Sequence, residues 1–122
     1  MANIVLADNE DINRVIYKKL LENEGHQVHA FRNGLEALMH VQENKTDIII
    51  ADLDMPIMNG VELLQNLKEY QLKKVLSSGA YSSISELKKD YKDAECDLYF
   101  SKPINIDSFS KRISEVLNKS KK

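Results

Sequence analysis

The chain has 122 residues, 17 basic against 19 acidic side chains, and a formal net charge of -2. That balance gives no pull toward nucleic acid or an anionic membrane surface. The single cysteine, Cys96, excludes an internal disulfide and points to a reducing compartment. No apolar run approaches the ~20 residues that span a bilayer, and Met1-Ala2-Asn3 does not open a secretory leader. The expectation is a soluble cytoplasmic protein with one domain over residues 1–118 and a basic tail over 119–122.

Short apolar runs alternate with segments of helical spacing. Ile4 to Ala7 reads as a first strand, continuous enough to be buried on both faces. Ile12, Val15, Ile16 and Leu20 recur at three and four residues and predict a helix that stops at Gly25. A weaker strand covers 28–31. After the turn Asn33-Gly34, a helix carries Leu35, Leu38 and Met39. Ile48 to Ala51 is the strongest strand, and Val61, Leu64 and Leu67 mark the helix that follows. Val75-Leu76 is a short fourth strand led by Lys73-Lys74, and Ile84, Leu87 and Tyr91 predict a fourth helix. Leu98 to Phe100 is the fifth strand. Ile106, Phe109, Ile113, Val116 and Leu117 give the clearest helix. Five β-α repeats with right-handed crossovers make a three-layer, doubly wound α/β domain.

In such sheets ligands bind outside the carboxyl ends of the strands. Asp8, Asp52, Ser77 and Lys102 each close an apolar run there. Carboxylates about 4 Å apart repel by about 4 kcal/mol per pair at an effective dielectric near 20, so the group needs a cation or a shared proton. Oxygen ligands without clustered Cys or His favour Mg²⁺ or Mn²⁺. Helix capping is the plain alternative for Asp8 or Asp52 taken singly. Lys102 precedes Pro103 and therefore sits in extended backbone, from which its ammonium can reach Asp52. A cis bond at Pro103 would fix that direction, and the sequence does not show the isomer. Of two adjacent hydroxyls, Ser77 is preferred over Ser78, because Ser78-Gly79 reads as the opening of a loop.

Taken together, Ile4-Val5-Leu6-Ala7-Asp8-Asn9-Glu10, Asn33-Gly34-Leu35-Glu36-Ala37-Leu38, Asp52 through Gly60 and Ser101-Lys102-Pro103 resemble the response-regulator receiver domain, over nearly the whole chain. The resemblance implies a flavodoxin-like sheet of five strands in the order 2-1-3-4-5. It implies that Asp52 accepts a phosphoryl group from the phosphohistidine of a sensor histidine kinase or a histidine phosphotransfer protein. Asp8, Asp52 and the backbone carbonyl of Asp54 would hold Mg²⁺, Lys102 would pair with the phosphoryl group, Ser77 would be the switch hydroxyl and Tyr99 its aromatic partner. A downstream protein or an attached output domain would read the switched face, with no direct nucleic-acid binding and a monomer or weak homodimer as the assembly. The domain would be a signalling switch that assists its own phosphorylation and dephosphorylation, not an enzyme.

The chain departs from the family where a second acid usually follows the first. Asn9 stands there, which predicts weaker metal binding, and Asp54 is the expected compensating charge. Two other readings compete. Asp52-Leu53-Asp54 after an apolar strand resembles the haloacid-dehalogenase signature, but Met55-Pro56 follows and too little chain remains for that family's later motifs. A receiver-like module that is never phosphorylated is the reading that Asn9 keeps open. Of the histidines only His40 suits a phosphocarrier, and Cys96 suits packing better than nucleophilic chemistry.

Overall fold

A computed structural model describes residues 1–119. The elements run β1 (Asn3–Ala7), α1 (Asp11–Asn23), β2 (Gln27–Phe31), α2 (Gly34–Glu43), β3 (Ile48–Asp52), α3 (Gly60–Asn66), β4 (Lys73–Ser78), α4 (Ile84–Leu87), β5 (Leu98–Ser101) and α5 (Ile106–Asn118). The strands form one parallel sheet in the order β2-β1-β3-β4-β5. The basic tail falls mostly outside the described residues, which end at Lys119.

Alternation along the strands divides the core into two layers. Ile4, Leu6, Ile48, Ile50, Val75 and Phe100 face Tyr17 and Leu21 of α1 and Phe109, Ile113 and Val116 of α5. Val5, Ala7, Ile49, Ala51 and Leu76 face Ala37, Leu38 and Val41 of α2, Val61, Leu63 and Leu64 of α3, and Leu87 of α4. Every residue of β3 is buried, because it lies at the centre of the sheet with a helical layer on each side.

The helix starts are written locally. Asn33 accepts from Glu36 N–H at 2.9 Å. Asn59 and Glu62 form a reciprocal capping box at the head of α3. Gly25 ends the first helical unit with φ +93°, a conformation glycine adopts without a Cβ penalty.

Two elements differ from expectation. The fourth strand is longer at both ends. Lys73 and Lys74 pair with Ile48 and Ile49, and Ser78 is still in the sheet opposite Ser101. The fourth helix is a single turn that stops before Tyr91. After Leu87 the backbone tightens, with Lys89 N–H on Glu86 and Asp90 N–H on Leu87. The Tyr81 hydroxyl then holds Asp90 at 2.6 Å, and Tyr91 packs half-buried with its ring edge-on to Tyr81.

Candidate functional site

The site is assembled by strand ends. β1 and β3 pair with Ala7 opposite Ala51, so the next residue of each chain, Asp8 and Asp52, stands at the same rim. Both are almost fully buried, at 2 % and 5 % exposure. Asp8 N–H donates to the Phe31 carbonyl, which anchors its backbone to β2. Asp52 pairs with Ser77 across to β4. From the far side of the sheet Lys102 brings its ammonium to 3.2 Å from Asp8 Oδ2 and 3.3 Å from Asp52 Oδ2. Its backbone N–H donates to the Ser78 carbonyl at 2.9 Å, and its bond to Pro103 is cis.

Removing a carboxylate from water disfavours its charged form. Burial therefore pushes the Asp52 carboxyl up to about 6. Lys102 opposes that rise, and the charge on Asp8 adds to it. Burial alone would lower the Lys102 ammonium, but Asp52 and Asp8 together hold it above the ordinary lysine value. Lys102 is thus a permanent counter-charge set between two acids. The remaining carboxylate oxygens have backbone donors: Asp8 Oδ1 accepts from Glu10 N–H at 2.9 Å, and Asp52 Oδ1 from Asp54 N–H at 3.3 Å.

The two serines are both buried and lie on opposite sides of β4. By alternation Ser77 follows the Val75 side and Ser78 the Leu76 side. Tyr99 pairs with Leu76 and packs on that second side. Its hydroxyl donates to the Tyr81 carbonyl at 2.6 Å and lies 3.5 Å from the Ser78 carbonyl. Ser78 Oγ accepts from Ala80 N–H at 2.9 Å. The preference for Ser77 thus meets an obstacle: Ser78 shares a side with Tyr99, and Ser77 does not.

Asn9 and Asp54 are both exposed beside the rim. Among the described residues, no group of three His, Cys, Asp or Glu is arranged to hold a metal directly. The donor set still suits Mg²⁺, which takes one or two carboxylates and keeps several waters. Two buried acids sharing one ammonium, one of them with its carboxyl near 6, present the charge that such an ion neutralises.

Two residues were not singled out from sequence. Glu10 Oε1 lies 3.8 Å from the Lys102 ammonium. Arg14 donates from Nη1 to the Asp8 carbonyl at 2.7 Å and pairs with Asp11. Helical spacing from the strand end, one turn into α1, is the signal that could have found Arg14.

A groove of about 420 Å³ runs between α1 and the start of α5, with Glu10, Tyr17, Lys102 and Pro103 in its walls. Ile106 lines it too and is 48 % exposed. Ile12 and Val15 of α1 are more exposed still, at 72 % and 69 %. Ile57, on the loop after Asp52, is exposed and holds a left-handed φ of 72°, which costs a β-branched residue roughly 1–2 kcal/mol. A larger hollow of about 680 Å³ lies at the opposite, amino edge of the sheet. There Asp47 and Asp97 accept the N–H groups of Asn3 and Lys74, so those acids organise strand starts.

Cys96 packs half-buried against the core, and burial pushes its thiol up to about 11, which leaves it protonated. The His40 ring packs tilted against those of His29 and Phe31. Met55 and Met58 pack onto the α2–α3 side of the core.

Comparison with known proteins agrees with this architecture. Residues 4–114 match the family model of the response regulator receiver domain. The polar-differentiation response regulator DivK of Brucella anthropi is 27 % identical over 118 residues, covering 94 % of this chain and 95 % of that protein. The transcriptional regulatory protein ZraR of Klebsiella oxytoca is 32 % identical over 94 % of this chain, which spans 26 % of its length. A CheY-like receiver domain protein from Methanospirillum hungatei superposes with a TM-score of 0.87 at 25 % identity, covering 99 % of this chain and 97 % of that one. CheY4 of Vibrio cholerae gives 0.85 at 25 % identity, covering 95 % and 98 %. With its sheet order, its rim of buried acids and lysine, and a family match over most of its length, the chain belongs to the response regulator receiver domain family, the receivers of two-component signalling.

Proposed function

We propose that Asp52 is the phosphoacceptor, taking its phosphoryl group from a phosphohistidine donor. One observation carries this reading: Asp52 is a buried carboxylate with its carboxyl near 6, and a lysine ammonium lies 3.3 Å away. A carboxylate of raised pKa is a better nucleophile than an ordinary aspartate and is still mostly ionised at pH 7. One Asp52 oxygen attacks phosphorus. The P–N bond to the donor imidazole breaks, and its electron pair returns to the ring nitrogen. The product is an acyl phosphate whose added charge Lys102 offsets. A divalent cation, held by Asp8, Asp52 and the Asp54 carbonyl, would supply further neutralisation of the phosphoryl oxygens. Acetyl phosphate with Mg²⁺, read by intact mass, tests the reading.

The donor approaches over the apolar wall formed by Ile16 of α1, Ile104 and the exposed Ile106, because these residues line the groove in which Lys102 lies. A partly exposed apolar wall beside a charged rim fits a helical partner that presents histidine on an apolar face. Ile106→Asp should slow transfer from such a donor about tenfold or more relative to labelling by acetyl phosphate, measured side by side.

For the switch hydroxyl we favour Ser78 over Ser77. A phosphoryl group extends Asp52 beyond the rim, and Ser78 is one residue further out than the serine paired with Asp52. Ser78 also lies on the Tyr99 side of the sheet, where inward motion of its hydroxyl can be answered by the ring. Ser78→Ala should leave Asp52 labelling largely intact and remove the phosphorylation-dependent change in the Tyr99 ring resonances. The same loss in Ser77→Ala with none in Ser78→Ala would restore Ser77. The resulting change at α4 and β5 is what a downstream partner or output domain reads, because only differential affinity for the two states transmits a signal.

A further inference from the structure

The geometry points to Glu10 as the residue that supplies the charge Asn9 lacks toward a divalent cation at the rim; this rests on the reading of Asp52 as the phosphoacceptor. Glu10 occupies the N-cap position of α1, yet its side chain makes no capping hydrogen bond. Asp, Asn or Ser there would stabilise the helix by about 1 kcal/mol, so capping does not account for this residue. Its N–H donates to Asp8 Oδ1 and turns it toward the rim. Its carboxylate accepts from Asn13 at 2.6 Å and comes to 3.8 Å from the Lys102 ammonium. That ammonium is the one that Asp8 and Asp52 share. A positive charge thus already stands where three carboxylates of this chain converge.

The alternatives are less well placed. Asp11 is spent on Arg14. Asp54, the compensation expected from sequence, is exposed, and the bond it makes to Asp52 comes from its backbone N–H. The Glu10 side chain is 66 % exposed, so its carboxylate keeps its water. That suits Mg²⁺ and Mn²⁺, which retain several waters and can be held by a carboxylate through their hydration shell. The family's usual acid would sit one residue earlier. This chain moves the charge one position along and onto a longer side chain.

Mn²⁺ binding to the whole unphosphorylated chain tests this, with free Mn²⁺ followed by electron paramagnetic resonance. One charge lost about 6 Å from a divalent ion in a water-like dielectric is worth roughly tenfold in affinity. Glu10→Gln should therefore bind Mn²⁺ about tenfold more weakly. Adding Asn9→Asp to that variant should restore binding at least to the wild-type level. Wild-type affinity in Glu10→Gln, with binding lost in Asp52→Asn, overturns the role of Glu10 and leaves the site reading intact. Full affinity in both Glu10→Gln and Asp52→Asn removes the cation from the rim altogether and brings down the site reading as well.

Discussion

Asp52→Asn should abolish the gain of a phosphoryl mass that the wild-type chain is expected to show with acetyl phosphate and Mg²⁺. The amide has no anionic oxygen to attack phosphorus. Ser77 and Ser78 do not replace it, since an alcohol needs a general base to attack phosphorus, and the Ser78 oxygen faces the Ala80 N–H. The same variant has a second signature in stability. The carboxyl titrates near 6 when folded against an ordinary value of 3.8, so its folded value is raised. Between those pH values the native chain holds a proton that the unfolded chain has released. Unfolding free energy therefore falls as pH rises from about 4 to about 6, then levels off. Asparagine removes that penalty. Asp52→Asn should be more stable than wild type at pH 7.5 by roughly 1–2 kcal/mol, a figure discounted for the solvent that reaches the rim. The advantage should vanish near pH 4. Urea unfolding at the two pH values measures it, and a variant that is less stable at pH 7.5 removes the account of a strained carboxylate.

Lys102→Ala has the opposite effect on the fold. Its ammonium is the charge that Asp8 and Asp52 share, and only 14 % of its side chain is exposed. Without it two buried carboxylates face each other across the rim. Breaking a buried pair by removing one partner costs about 3–5 kcal/mol, and protonation of the remaining acids relieves part of this, so a loss of about 2–3 kcal/mol at pH 7.5 is expected. The loss should shrink at pH 5, where Asp52 takes up a proton. Carboxyl resonances of Asp52 should titrate above the wild-type position, because the opposing influence of Lys102 is gone. Lys102→Arg should restore stability better than it restores switching, since a planar fork cannot converge on two separate oxygens as a point charge does. An unchanged Asp52 titration in Lys102→Ala would show that the ammonium is not its electrostatic partner.

Much of this architecture is legible without coordinates, for a physical reason. Residues 48–51 are apolar without interruption, which only a strand covered on both faces tolerates, and that places Asp52 at a sheet edge. The same logic puts Asp8 there and orders the five β-α units. The fourth strand was harder to read. Lysines at its start and serines at its end hide a six-residue strand behind two apolar residues, so the choice between the serines rested on a boundary. Side of sheet, not distance from the apolar pair, separates Ser78 from Ser77, and that depends on where Tyr99 packs. The helix after β4 has helical spacing but stops after one turn, because Tyr81 and Asp90 close the segment through a side-chain bond that no periodicity encodes. Glu10 is not legible in the sequence pattern, because it converges on Lys102, 92 residues away in the chain.

Gly60 opens α3 with its backbone hard against the end of β3. A Cβ there would meet the Asp52 carbonyl oxygen at 2.6 Å and a Leu76 methyl at 2.8 Å. The carboxylate is therefore mounted on a post with no play: the strand below it, the helix after it and the neighbouring strand are wedged together. Whatever moves when the acid is loaded has to yield elsewhere. The one-turn α4 and the Tyr99 hydroxyl, held by the Tyr81 carbonyl and more loosely by that of Ser78, are the softest adjoining parts. A message written at the middle of the sheet thus has one cheap exit, toward its β5 margin.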